Sequence, residues 1–102
     1  VTTPEGKIEN YLVEQMRVSG GFVRKIKWIG RNGAPDRMVW WPSAPYKPAY
    51  IYFVELKRPG GKAEPQQLEE HKKLRESGIT VFILDTIEKI DDFIKAHVVI
   101  KS

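Results

Sequence analysis

Asp36, Glu55 and Lys57 are the side chains of this 102-residue sequence whose types and spacing suit one piece of chemistry. Glu55 and Lys57 close the apolar and aromatic run Ala49-Tyr50-Ile51-Tyr52-Phe53-Val54-Glu55-Leu56-Lys57, and Asp36 follows Pro35 where a loop becomes a strand. Residues two apart on a strand share a face, so Glu55 and Lys57 project together with Ile51 and Phe53. Two carboxylates at neighbouring strand tips, with the Leu56 main-chain carbonyl between Glu55 and Lys57, form a set of hard oxygen donors. Such a set suits Mg²⁺ or Mn²⁺, which keep some water and take further oxygens from a phosphate. A cation held there would polarise a phosphoryl oxygen and lower the pKa of a coordinated water. Lys57 would hold the attacking water or balance charge building on phosphorus. Glu-x-Lys alone is common and, as a surface ion pair, worth under about 1 kcal/mol. Its weight here comes from context: Pro-Asp opening one strand, Glu-x-Lys ending a buried one, and a glutamine-bearing helix directly after.

The elements that must position these groups follow in order. Thr2-Thr3-Pro4-Glu5 reads as a helix start with Thr3 as N-cap. Ile8, Tyr11, Leu12, Gln15 and Met16 continue at helical spacing, and Ser19-Gly20-Gly21 ends the helix. Glu5 and Glu9 flank that apolar stripe, and either could point over the sheet. Phe22 to Trp28 reads as a strand, 30–35 as a loop, and Arg37 to Trp41 as a second strand. Pro42 to Pro48 is a stiff, proline-rich connection whose aromatic neighbours Trp40, Trp41, Tyr46 and Tyr50 either pack or form a contact surface. The run ending at Lys57 is apolar on both faces, as a central strand is, and Arg58-Pro59-Gly60-Gly61 stops it. Pro65 opens a helix to about Ser77, closed by Gly78, with Leu68 and Leu74 as its apolar residues and Gln67 and His71 one turn apart. That spacing lets Gln67 or His71 reach the strand tips. Ile79 to Leu84 is a buried strand, making a parallel crossover. Asp85 with Glu88 predicts the start of a last helix with Ile87, Ile90 and Ile94 inward. Val98-Val99-Ile100 extends that helix or forms an edge strand. The expected architecture is α/β: one mixed sheet with helices on both faces, in the order αβββαβα.

Composition limits the chemistry. The absence of cysteine excludes disulfides, zinc–thiolate sites and a thiol nucleophile. No apolar run has the ~20 residues of a membrane span, and no signal-peptide pattern opens the chain. Residues 1–102 are expected to form one cytoplasmic domain, trimmed at its start because residue 1 is Val. A net charge of +4 suits an anionic partner such as nucleic acid.

Three segments carry a specific resemblance: Gly33-Ala34-Pro35-Asp36-Arg37, then Phe53-Val54-Glu55-Leu56-Lys57-Arg58-Pro59-Gly60-Gly61-Lys62, then Gln67 with His71, Leu74 and Gly78. Together they resemble the VRR-NUC family of the PD-(D/E)XK nuclease superfamily, related to archaeal Holliday-junction resolvases, over nearly the whole chain. The resemblance implies the restriction-endonuclease-like core already read from the elements, and metal-dependent hydrolysis of DNA phosphodiesters. It assigns Asp36, Glu55 and the Leu56 carbonyl to the metal, Lys57 as the catalytic lysine and Gln67 as a supporting residue. Glu9, with Glu5 as second choice, would be the first-helix glutamate at the metal. Stand-alone chains of this size resemble phage or bacterial proteins, which places the activity in a bacterial or phage-infected cell. Cutting both strands of a four-way junction takes two sites, hence an expected homodimer, with Trp40 to Tyr50 a contact surface. Lys25, Lys27, Arg31, Arg37, Arg58 and Lys62 are expected at phosphates, giving salt-sensitive binding with little base preference. Competing expectations are a flap, nicking or end-processing nuclease, and a catalytically silent basic DNA-binding module.

Overall fold

A computed structural model describes residues 3–99. Helix α1 (Pro4–Val18) begins where its sequence supplies partners for unpaired N–H groups. Thr3 Oγ1 accepts the Gly6 N–H at 2.9 Å, Pro4 fills the first turn, and Glu5 meets the positive end of the dipole. Ile8, Leu12 and Met16, four apart, are its buried stripe. Thr2, read as part of this helix start, lies outside the described residues.

Strands β1 (Phe22–Lys25), β2 (Arg37–Trp40) and β3 (Ile51–Leu56) form an antiparallel meander. Helix α2 (Pro65–Glu76) then crosses over to β4 (Val81–Leu84), which pairs parallel to β3, and α3 (Ile87–His97) follows. The sheet order is β1-β2-β3-β4, so β3 is interior, as its two apolar faces require. Val39, Val54, Leu56 and Leu84 face α1 and α3, whose Ile8, Leu12, Met16, Ile90 and Phe93 complete one core. The opposite face of β3 carries Glu55 and meets α2 through His71. Helices thus cover both faces, and the order αβββαβα holds. Among the described residues no helix is long and apolar enough to cross a membrane.

Several boundaries differ from the sequence reading. β1 stops at Lys25 rather than Trp28: the Ile26 N–H still reaches the Asp36 carbonyl at 2.9 Å, but Trp28 then folds back to donate to the Pro35 carbonyl. In α2 Leu68 is half exposed and His71 is the buried residue. In α3 Phe93 takes the inward place expected for Ile87, which is 44% exposed. Thr86, not Asp85, caps α3, accepting the Lys89 N–H at 3.1 Å, while Asp85 pairs with the Lys89 ammonium at 2.8 Å. Val98 is extended (φ −57°, ψ 137°), so it neither prolongs the helix nor joins a strand; it packs on the core with Val99, and Ile100 lies outside the described residues.

Trp41 is the largest fully buried side chain, and its indole N–H donates to Ser19 Oγ at 2.9 Å. Its ring meets Tyr52 and Phe93, joining the proline-rich connection to both sheet and α3. Trp41→Ala is therefore expected to cost about 3–5 kcal/mol in urea unfolding, by combined loss of burial and opening of a cavity.

Candidate active site

The antiparallel register pairs Arg37 with Val54, and one step further along both chains sets Asp36 against Glu55. Both carboxylates then share the α2-facing side of the sheet. Asp36 is fixed by what precedes it. Pro35 is fully buried, and its carbonyl accepts the Trp28 indole N–H at 2.7 Å. Gly33 has φ +82° and lies so close to the first turn of α2 that a Cβ would stand 2.7 Å from the Gln66 carbonyl oxygen. Only glycine meets both demands, so the loop reaches Asp36 clamped against α2.

Glu55 is 5% exposed, and its Oε1 has no hydrogen-bond partner. Asp36 is similar on one side only: Oδ2 receives Arg37 Nη1 at 3.0 Å, while Oδ1 is buried and unpartnered. Burial, then the Asp36 charge, pushes the Glu55 carboxyl up to about 7; Glu5 adds to this, and Lys57 and Arg37 oppose it. Lys57 is half-buried, and its N–H donates to the Leu84 carbonyl at 3.1 Å, so strand pairing holds the main chain through the lysine. Two orphaned carboxylate oxygens beside an ammonium are costly in an apolar setting and cheap around a cation.

His71 supplies the floor. It is fully buried, the main chain of Gly33 lies against it, and Nε2 lies 3.8 Å from Glu55 Oε1. Burial lowers its pKa, helped by Arg75 and Lys57, which keeps the ring neutral at pH 7. Gln67, expected beside the carboxylates, instead closes the start of its own helix, its Oε1 accepting the Glu64 N–H at 2.9 Å.

Two further placements differ from expectation. Arg37, expected at phosphate, has a side chain only 6% exposed and turns inward: Nη2 meets Glu9 Oε2 at 2.7 Å and Nη1 meets Asp36. Glu9 is thereby committed to Arg37, whereas it is the charge of Glu5, one turn earlier, that acts on Glu55. The link across 28 positions between Glu9 and Arg37 has no local signature, so periodicity did not disclose it. Arg37→Ala would leave a buried gap and strip a partner from both acids. The expected loss is near or below the ~3 kcal/mol lower end for fully buried pairs, because Glu9 and Asp36 retain water contact; urea unfolding reads it.

The remaining expected cations, Lys25, Lys27, Arg31, Arg58 and Lys62, are exposed on β1 and the two loops that flank the carboxylates. Arg31 is also held by a bidentate pair with Glu70, at 2.8 and 3.1 Å. Among the described residues no three His, Cys, Asp or Glu side chains surround one point. Any ion here would have two side-chain carboxylates and would need main-chain and solvent oxygens besides, as an ion that keeps its water does.

No family model matches the chain. It is 43% identical over 82 residues to "Putative nuclease p44" of Acyrthosiphon pisum secondary endosymbiont phage 1, spanning 80% of this chain and 83% of that protein. A solved VRR_NUC domain superposes with TM-score 0.79 at 37% identity, covering 92% of this chain and 97% of that one. A second, described as a VRR_NUC domain protein, shares the fold at TM-score 0.70 and 14% identity, over 96% and 90% of the two chains. With a nuclease-named relative across four-fifths of its length and a near-complete superposition on that domain, the chain belongs to the VRR_NUC family of nucleases.

Proposed function

We propose that the protein is a divalent-metal-dependent DNA endonuclease that cuts branched DNA, four-way junctions foremost, as a homodimer in a bacterial or phage-infected cell. One observation carries the reading: Asp36 Oδ1 and Glu55 Oε1 are buried, unpartnered and cross-strand neighbours, with Lys57 next along the same strand. Asp36, Glu55 and the Leu56 carbonyl would hold Mg²⁺ or Mn²⁺, with Glu5 acting from α1. The bound ion would offset the carboxylate charge, polarise the scissile phosphate and acidify a water. Lys57 would orient that water and balance charge on the phosphoryl oxygens as the water oxygen bonds to phosphorus, its proton passing to solvent, and the bond to the leaving oxygen breaks with that oxygen taking a proton from solvent. Neutral His71 packs beneath Glu55 without taking its charge, leaving the carboxylate free for the ion. Arg37 holds Asp36 from behind and is a positioning residue. Lys25, Lys27, Arg31, Arg58 and Lys62 contact phosphates.

Two cuts need two sites, and an apolar surface at the other ends of the strands suits a second copy. Phe22 stacks on Trp40 at 5.4 Å, Arg24 covers both rings, and Ile51, opposite Trp40 in the register, is more than half exposed beside them. Ile51→Glu should yield a monomer by light scattering; a wild-type monomer that still resolves junctions overturns the dimer. For the activity, end-labelled junction, flap and plain duplex are each incubated with Mg²⁺, Mn²⁺ or chelator. Junction cleavage that needs the metal supports the proposal. Preference for flaps or ends moves the protein to another nuclease class, and binding without cleavage under every condition makes it a DNA-binding module.

A further inference from the structure

The β1–β2 loop does more than deliver Asp36. Ile29 at its tip is 92% exposed, the most exposed large apolar side chain among the described residues. A single apolar residue in water is ordinary on a surface, but this one is presented by a loop braced from three directions. Trp28 donates to the Pro35 carbonyl at 2.7 Å and its ring packs on Phe53, Arg31 is clamped by Glu70, and Gly33 abuts the main chain of α2. Beside the tip, Trp28, Ile29, Asn32, Ala34 and Asp36 line a hollow of about 780 Å³. That volume is ample for a nucleotide. Its wall includes one of the two candidate metal-binding carboxylates, and Lys27 and Arg31 stand at its rim.

We propose that this loop is a site for one unpaired nucleotide: Ile29 enters the base stack at a break in the helix, and the hollow beside Asp36 receives the displaced base. The proposal rests on the DNA-nuclease reading and names the feature of DNA that the enzyme selects. Apolar side chains driven between base steps unstack them. Displacing a base costs a few kcal/mol in intact duplex and least where pairing is already broken. A rigid wedge flanked by cations therefore favours branch points over continuous duplex, without reading sequence. Because the hollow ends at Asp36, the nucleotide it holds sets which phosphate meets the carboxylates.

The test uses a four-way junction and a matched duplex with 2-aminopurine at or next to the branch position, bound in chelator so that cleavage plays no part. Wild-type protein should brighten the junction probe on binding and leave the duplex probe dark. Ile29→Ser, at a site too exposed to matter for folding, should abolish the brightening. It should also reduce the preference for junction over duplex by about five-fold or more, while duplex affinity stays within roughly two-fold. Ile29→Leu should retain both. A Ser variant that brightens the probe and discriminates as wild type does overturns the proposal, as does wild-type protein that cuts DNA with metal but never brightens the junction probe. If wild-type protein neither binds nor cuts DNA, the nuclease reading and this inference fall together.

Discussion

Metal-free protein carrying Glu55→Gln is expected to resist urea better than wild type at pH 8, by a smaller margin at pH 5, and to match it near pH 4. The sign follows from the direction of the shift. Glu55 is pushed up to about 7 in the fold, above the ordinary value of 4.5, by burial first and the Asp36 charge second. Well below pH 4.5 the carboxyl is protonated in both folded and unfolded chains and favours neither. As pH rises towards 7 the unfolded chain ionises first, so the fold loses stability, and above 7 the full penalty remains. A shift from 4.5 to about 7 corresponds to a ceiling of about 3 kcal/mol. Glutamine keeps the shape and never ionises, so it removes the penalty. His71 acts in the opposite sense: its lowered pKa makes the fold lose stability as pH falls below the ring's ordinary 6.5. The difference between wild type and variant across pH 5 to 8, rather than either curve alone, isolates Glu55. Added Mg²⁺ should stabilise wild type at pH 8 and leave the variant nearly unmoved, because binding to the folded state alone shifts stability by mass action. Equal urea midpoints for the two proteins at pH 8 in chelator would show that Glu55 is not held against its charge.

That tension is partly legible in the sequence. Glu55 and Lys57 could be placed on one face because an apolar run alternates and Arg58-Pro59-Gly60 ends it, and Asp36 could be placed at a strand start because Pro35 restricts the chain. Their juxtaposition needed the register of β2 on β3, which depends on how the long proline-rich connection packs around Trp41. Periodicity also located every element, since each helix has a cap and each strand an apolar stretch. It failed where a side chain answers to a distant partner. Arg37 looks like a surface cation until α1 brings Glu9 across to it. Gln67 looks free until the turn of chain before it offers the Glu64 N–H. The rotation of α2 was hard to read for a related reason. With only two leucines the helix has a weak apolar face, and it is His71 that faces inward while Leu68 stays half exposed. Ile29 has no signature in the sequence, because an isolated apolar residue in a turn carries no pattern and its meaning depends on the bracing around it.

Lys57→Ala is expected to lower cleavage about 10²–10³-fold, the range found when one charge-stabilising group is removed from a reacting centre. The loss should fall on kcat. Lys57 is half-buried at the end of β3, whereas Lys25, Lys27, Arg58 and Lys62 are exposed and are the proposed phosphate contacts that would set affinity. Junction affinity in chelator should therefore change little, and a kcat loss at unchanged KM marks an interaction made in the transition state. The variant also separates two accounts of the lysine. If its ammonium only offset the repulsion between Asp36 and Glu55, then its removal would push Glu55 further up and weaken metal binding, and excess Mg²⁺ or a higher pH would restore the rate. If Lys57 acts on the water and the phosphoryl oxygens, neither treatment does. Lys57→Arg keeps the positive charge but replaces a compact point charge by a planar fork, so it should preserve the pH dependence of stability while recovering little activity. Lys57→Ala protein that cuts junctions at nearly the wild-type rate in saturating Mg²⁺ would remove the lysine from the chemistry and leave it as a counter-charge to two crowded acids.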